Sequence, residues 1–125
     1  MSFLTKELLL SKRERKIKKV MLPEMGPDEY IFIRSLKSAE ITGWQASMLN
    51  PKTGEPSIKL QKQSRERLVM LAACDESGNP IFGREDLEAL NGLENSIIGR
   101  LTIAIQELCG IGDDDLENSE DQVKN

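Results

Sequence analysis

The carboxylates that begin and end one 12-residue window are spaced as calcium ligands are. Asp75, Ser77 and Asn79 occupy the first, third and fifth positions of this window, and Asp86 occupies the twelfth. A calcium loop needs glycine at its sixth position for a sharp turn, and this chain has Pro80 there. The window therefore favours a plain turn, and we expect no metal site.

Catalytic chemistry has few other candidates in this chain. Carboxylate pairs such as Glu85 with Glu88 or Asp86 fall at the start of a predicted helix, whose positive end they favour. The chain has no histidine, which removes Ser-His-Asp and Cys-His catalysis and a histidine-ligated zinc site. Cys74 and Cys109 lack a C-x-x-C spacing and end two apolar stretches, so we expect buried, reduced thiols. Neither catalysis nor a cofactor is expected.

Charge is divided unevenly along the chain. The net charge is −4, but residues 1–67 carry 14 basic and 8 acidic residues, while residues 68–125 carry 3 basic and 13 acidic. Six basic residues cluster in one run, and they are Lys12, Arg13, Arg15, Lys16, Lys18 and Lys19. Such a run is able to contact the phosphates of a nucleic acid. It is more typical of a basic approach that keeps an edge strand from pairing, so nucleic-acid binding is the less favoured interpretation.

Four apolar side chains precede the basic run. Phe3, Leu4, Leu8 and Leu9 follow an i, i+1, i+5, i+6 spacing, which suggests a short amphipathic turn or helix. These four are candidate partner-binding residues, because an exposed amphipathic surface is typical of a site that binds a partner helix. The alternative is that the same side chains dock on their own domain.

The pattern of apolar residues predicts the elements that carry these candidates. A β-hairpin is expected from residues 17–22 and 30–33, around a Gly-Pro turn. Ser38 is the expected N-cap of the helix that follows. The predicted helices cover residues 38–49, 57–74, a short stretch after Gly83, and 95–109, where Gly110 ends the last one. The fold class is therefore α+β and mostly helical, with an N-terminal β-hairpin packed on about four helices.

Composition divides the chain into three parts. Residues 1–15 are expected to form an N-terminal arm, residues 16–112 a single globular domain, and residues 113–125 a disordered acidic C-terminal tail. The apolar stretch at residues 68–73 is the expected centre of the core. No apolar stretch approaches the ~18 residues that span a bilayer, so we expect no membrane partner.

The order of several stretches resembles the tail assembly chaperones of long-tailed bacteriophages and prophages. The stretches are FLTKELL at residues 3–9, LPEMG at 22–26, IRSLKSAE at 33–40, RLVMLAAC at 67–74, DESGNPIF at 75–82, EDLEAL at 85–90 and LCGIG at 108–112. They are structural signatures that cover nearly the whole chain. Gly83 departs from the pattern, since a Ser or Thr cap is expected before the acidic helix turn.

The resemblance implies a function without an active site. A chaperone of this family binds the tape measure protein and helps recruit tail tube subunits. It acts as an oligomer in the cytoplasm of the bacterial host and is absent from the mature virion. The basic run lacks interleaved aromatic residues and a glycine-rich or helix-turn-helix context, so we do not expect a nucleic-acid partner. The alternative from the residues is a small DNA-binding regulator that uses the basic run, and a third interpretation is an adaptor that binds a host protein through the N-terminal leucines.

Overall fold

The computed structural model describes residues 3–111. Over that range the chain forms an exposed arm, an antiparallel sheet and helices that pack on the inner face of the sheet. In chain order the elements are α1 (Lys6–Ser11), β1 (Ile17–Met21), β2 (Tyr30–Arg34), α2 (Ser38–Ala46), α3 (Ile58–Gln61), α4 (Ser64–Ala72), β3 (Ala73–Cys74), α5 (Leu87–Asn91) and α6 (Asn95–Cys109). This arrangement confirms the predicted class, a mostly helical α+β fold with an N-terminal hairpin on helices.

The predicted hairpin is formed by β1 and β2, whose β-branched and aromatic residues favour strands. Lys18 lies opposite Ile33 and Val20 opposite Ile31 in antiparallel register. Directly opposite residues share one face of a sheet. Val20 and Ile33 are buried, so this face points into the core, and the alternate residues of β1 point to the other side.

The structure has a third strand where the sequence predicts a helix. The predicted helix covers residues 57–74 without a break. The chain instead forms two helices, α3 and α4, and then turns into the extended strand β3. Ser57 caps α3 by accepting the Leu60 N–H, and the helical backbone is interrupted after this single turn. Ala73 leaves the helix with ψ of 131°, which lets it pair with Ile33 of β2. Sheet pairing at this point replaces the last helical turn.

The core lies between α4, α6 and the inner face of the sheet. Leu68, Val69, Ala72 and Ala73 have no exposed surface, which confirms that residues 68–73 form its centre. Burial of such side chains is the dominant favourable term in folding. Trp44 of α2 closes one side, and its indole N–H donates to the Ser64 carbonyl at 2.8 Å.

The last helix ends as predicted at Gly110. Ile98, Leu101 and Ile105 form the buried stripe of α6, with Leu108 half-buried below them. Gly110 takes a left-handed φ of 71°, a conformation that glycine adopts without a steric penalty. The predicted acidic tail at residues 113–125 lies outside the described residues.

The start of α2 differs from the prediction by one position. Lys37, and not Ser38, is the N-cap residue, and its N–H donates to the Glu40 carboxylate at 2.8 Å. A carboxylate at the third position of a helix accepts the N–H of the N-cap residue, just as a capping hydroxyl accepts an N–H of the first turn. The same carboxylate also binds Arg15, which ties the helix start to the segment before β1.

Candidate partner-binding surface

The arm before β1 presents apolar side chains to solvent. Thr5 starts α1 by accepting the Leu8 N–H on its hydroxyl at 3.2 Å, so the predicted amphipathic helix forms. No residue of α1 is buried. The exposed fractions are 91% for Phe3, 65% for Leu4, 59% for Leu8, 62% for Leu9 and 51% for Leu10. The four predicted partner-binding residues are therefore accessible within this chain, and Leu10 extends the same surface.

The basic run is not a row of free cations. Arg15 donates from both terminal guanidinium nitrogens to the Glu40 carboxylate, at 2.6 and 3.0 Å, and also to the Ser35 carbonyl at 3.1 Å. These hydrogen bonds hold the pKa of Glu40 below its ordinary value. Arg15 thus fixes the end of the arm to the start of α2, and its charge is neutralised by a carboxylate of the domain.

The lysines of the run lie on different sides of the hairpin. Lys16 is tied down through its backbone, because its N–H donates to the Ser35 hydroxyl at 2.8 Å. Lys18 and Lys19 are neighbours on β1, and successive strand residues point to opposite faces. The ammonium of Lys19 lies 4.3 Å from the centre of the Tyr30 ring on the outer face. The structure therefore divides the six predicted basic residues among several surfaces.

A groove separates the arm from the connection between β2 and α2. Its volume is about 550 Å³, and we call it the arm groove. It is lined by Leu9, Leu10, Lys12, Arg13, Glu14, Arg15, Ser35, Leu36, Lys37 and Ser38. The groove combines leucine side chains with the cations of the first half of the basic run, which suits an acidic segment that also carries an apolar residue.

A second groove of about 530 Å³ lies between α2, α4 and the turn before α5. Trp44, Met70, Leu71 and Leu87 supply apolar surface, and Arg67 and Arg84 are the basic residues of its lining. No sequence pattern indicated this groove, since it exists only through the packing of α2 against α4. Such an apolar surface with charged edges is the usual form of a groove that accepts a helix.

The calcium-like window is a turn whose polar groups already have partners. One oxygen of the Asp75 carboxylate accepts the N–H groups of Ser77 and Asn79, at 2.9 and 3.0 Å. The Asn79 N–H and its neighbours lower the pKa of Asp75. No group of three or more potential metal ligands comes together among residues 3–111.

One member of the predicted carboxylate pairs, Asp86, caps a helix start. Asp86 accepts the Gly83 N–H at 2.9 Å, at the beginning of a 3₁₀ turn over Arg84–Asp86 that leads into α5. Gly83 has an extended backbone at this position. The expected Ser or Thr cap is missing, and the Asp86 side chain caps the start of the turn in its place. Glu85 and Glu88 are exposed.

The two cysteines are free thiols. Cys74 is buried and Cys109 half-buried, and burial raises the pKa of both. The Cys109 sulfur accepts the Leu36 N–H at 3.3 Å, which places the end of α6 beside the end of β2. No helix in the described part of the chain is long and apolar enough to cross a membrane.

The fold and its surfaces thus define an α+β domain with an exposed apolar arm. No family model matches the chain, and no curated protein matches it. Among solved structures it is similar to one titled "Structure of bacteriophage HK97 tail assembly chaperone", with a TM-score of 0.57 and 17% sequence identity. The match covers 75% of this chain and 85% of that chain. The predicted resemblance to tail assembly chaperones is confirmed at the level of the fold.

Proposed function

We propose that this protein takes part in the assembly of a phage or prophage tail, as a chaperone without catalytic activity. One observation carries the proposal: a domain with the fold of a tail assembly chaperone presents five exposed apolar side chains on its arm. Five exposed apolar side chains within residues 3–10 are typical of an interaction site. Asp86, one of the candidate catalytic carboxylates, serves as a helix cap.

The finer proposal is that the arm binds the tape measure protein. A tape measure protein is a long chain that aggregates when its apolar helical faces are uncovered. The arm offers leucines on a short amphipathic helix, which is the kind of surface that pairs with another amphipathic helix. The groove between α2 and α4 is a second apolar surface for the same client.

The remaining parts of the proposal concern assembly. The chaperone recruits tail tube subunits around the client, acts as a homo-oligomer in the bacterial cytoplasm and is absent from the mature virion. Charge supports association between copies, because the first half of the sequence is basic and the second half acidic. Against the DNA-binding alternative, Arg15 is already paired with Glu40, and other basic residues of the run are divided between the arm groove and a separate groove beside α6.

Co-expression with the tape measure protein of the same genome tests the proposal. We expect the client to remain soluble and to co-purify with the chaperone. The variant Leu8→Ser/Leu9→Ser should lose most of the co-purified client. The matched control is Met25→Ser/Ile58→Ser, which removes two equally exposed apolar side chains outside the arm and should bind normally. Equal losses in both variants, or an insoluble client with the unmodified chaperone, would overturn the proposal.

A further inference from the structure

The described chain ends beside its own basic run. Ile111, the last described residue, is buried, and its N–H donates to the Gln106 carbonyl at 2.9 Å. Two residues earlier, the Cys109 sulfur accepts the Leu36 N–H. The neighbour of Leu36 is Ser35, whose N–H donates to the Lys16 carbonyl at 2.8 Å. Cys109, two positions before the last described residue, therefore contacts Leu36 in the lining of the arm groove.

The residues that follow Ile111 are strongly acidic. Residues 113–121 hold six carboxylates, and they are Asp113, Asp114, Asp115, Glu117, Glu120 and Asp121. Leu116 is the single large apolar residue among them. The groove offers the complementary set, with Lys12, Arg13 and Lys37 at its edge and leucines on its walls. Lys12, Arg13 and Lys37 are exposed, whereas Arg15 is already engaged by Glu40.

Length allows the contact without strain. Residue 113 is two positions after Ile111, and an extended chain advances about 3.3–3.6 Å per residue. A segment of this length easily covers the groove from its nearby start. Attachment to the same chain also gives the segment an effective concentration on the order of millimolar at the groove, which a free acidic partner does not reach.

We propose that residues 113–121 of this chain bind in the arm groove, with their carboxylates on Lys12, Arg13 and Lys37 and Leu116 against Leu9 and Leu10. The bound segment covers part of the apolar arm surface and competes with any partner of that surface. The affinity of the segment for the groove depends on ionic strength, because exposed charges are screened over about 8 Å at physiological salt. The contact does not require the proposed chaperone function.

Zero-length carbodiimide cross-linking of the full chain tests the contact directly. An equal mixture of ¹⁴N- and ¹⁵N-labelled protein is treated, and linked peptides are identified by mass spectrometry. We expect links from Lys12 and Lys37 to residues 113–121, within single-isotope species, and their loss in 1 M salt. Links to the exposed Lys52 and Lys59 serve as the control for random contact. Equal linking to those lysines overturns the proposal, as do mixed-isotope links, which would place a second copy in the groove.

A variant gives an independent readout. The change Asp113→Asn/Asp114→Asn/Asp115→Asn/Glu117→Gln should speed tryptic cleavage after Lys12 and Arg13 by about fivefold, because several exposed ion pairs are lost together. The matched control Glu55→Gln/Glu76→Gln/Glu85→Gln/Glu88→Gln removes the same charge from exposed sites elsewhere. It should be cleaved like the unmodified chain. Equal rates in all three proteins would overturn the proposal, even if the tape measure protein binds.

Discussion

The arm and the core both contain large apolar residues, but these side chains are exposed in the arm and buried in the core. Leu8 and Leu9 lie on a six-residue helix with nothing buried, whereas Leu68 and Val69 lie on α4 with no exposed surface. The difference lies in their neighbours, because α4 packs on α6, α5 and α2 while no residue of α1 is buried. Apolar residues that contribute nothing to the core in this fold remain available for binding. The comparison separates the part that folds the chain from the part that we propose binds a client.

The largest effect is expected from truncation in the core. Leu68→Ala should lower the free energy of unfolding by about 2–5 kcal/mol, since it leaves a cavity at a fully buried site. Urea denaturation of the full chain measures this loss. Leu8→Ala is the matched variant on the arm, where a loss above about 0.5 kcal/mol would show that the arm is part of the core.

A smaller effect is expected at the junction between arm and domain. Glu40→Gln should cost about 1–2 kcal/mol, because it weakens the charged hydrogen bonds from Arg15 and the cap on the Lys37 N–H. The conservative control Glu55→Gln, in an exposed loop, should leave stability unchanged. Denaturation at pH 7 compares the two.

The same junction predicts a pH dependence. Arg15 lowers the pKa of Glu40 below its ordinary value of 4.5, so the folded state binds this proton less readily than the unfolded state. The stabilisation is fully present above about pH 4.5 and is lost as the pH falls through the lowered folded value. Denaturation at pH 5 and at pH 3 should therefore show a smaller decrease for Glu40→Gln than for the unmodified chain. Equal decreases would contradict this role of the Arg15 pair.

A modest effect is expected at the end of the core helix. Gly110→Ala should cost about 1 kcal/mol, because Gly110 has a left-handed φ that a side chain disfavours. An added Cβ meets no atom within 4 Å there, so the cost is conformational and not steric. Thermal unfolding measures it, and the half-buried Gly99→Ala inside α6 should instead be neutral or stabilising. An unchanged melting temperature for Gly110→Ala would mean that the cap does not limit stability.

The smallest effect concerns the DNA-binding alternative. Arg15 is paired with Glu40. Lys12 and Arg13 line the arm groove, whereas Lys18 and Lys19 line a separate groove beside α6, so few cations of the run are free to act together. The salt dependence of retention on duplex DNA should therefore correspond to about three phosphate contacts or fewer. Fluorescence anisotropy between 50 and 200 mM salt, as a test range, gives the slope. A slope that requires six contacts would revive the DNA-binding interpretation.

Local sequence patterns predicted the elements whose structure depends mainly on their own residues. The stripe of α6 and its Gly110 stop are local signals, and so are the aromatic and β-branched residues of the hairpin. The apolar run at residues 68–73 was recognisable as core for the same reason. The resemblance in segment order added the fold family, and the structural match supports it.

The features that were missed depend on contacts distant in sequence. Ala73 continues a helical pattern, and only pairing with Ile33 of β2 draws it into a strand. Arg15 was counted as a free cation, but its partner Glu40 lies 25 positions away. The arm groove and the groove beside Trp44 likewise arise from packing between elements. Spacing along one stretch of sequence carries no information about such neighbours.

Hydrogen exchange of the arm, with and without the tape measure protein, tests the central claim most directly. The amides of Lys6–Ser11 lie on an exposed helix, so they should exchange rapidly in the chaperone alone. We predict that they become protected by about tenfold or more in the complex, while the amides of β2 and α6 change little. A complex that forms with the arm exchanging as fast as before would contradict the claim that the arm is the binding surface.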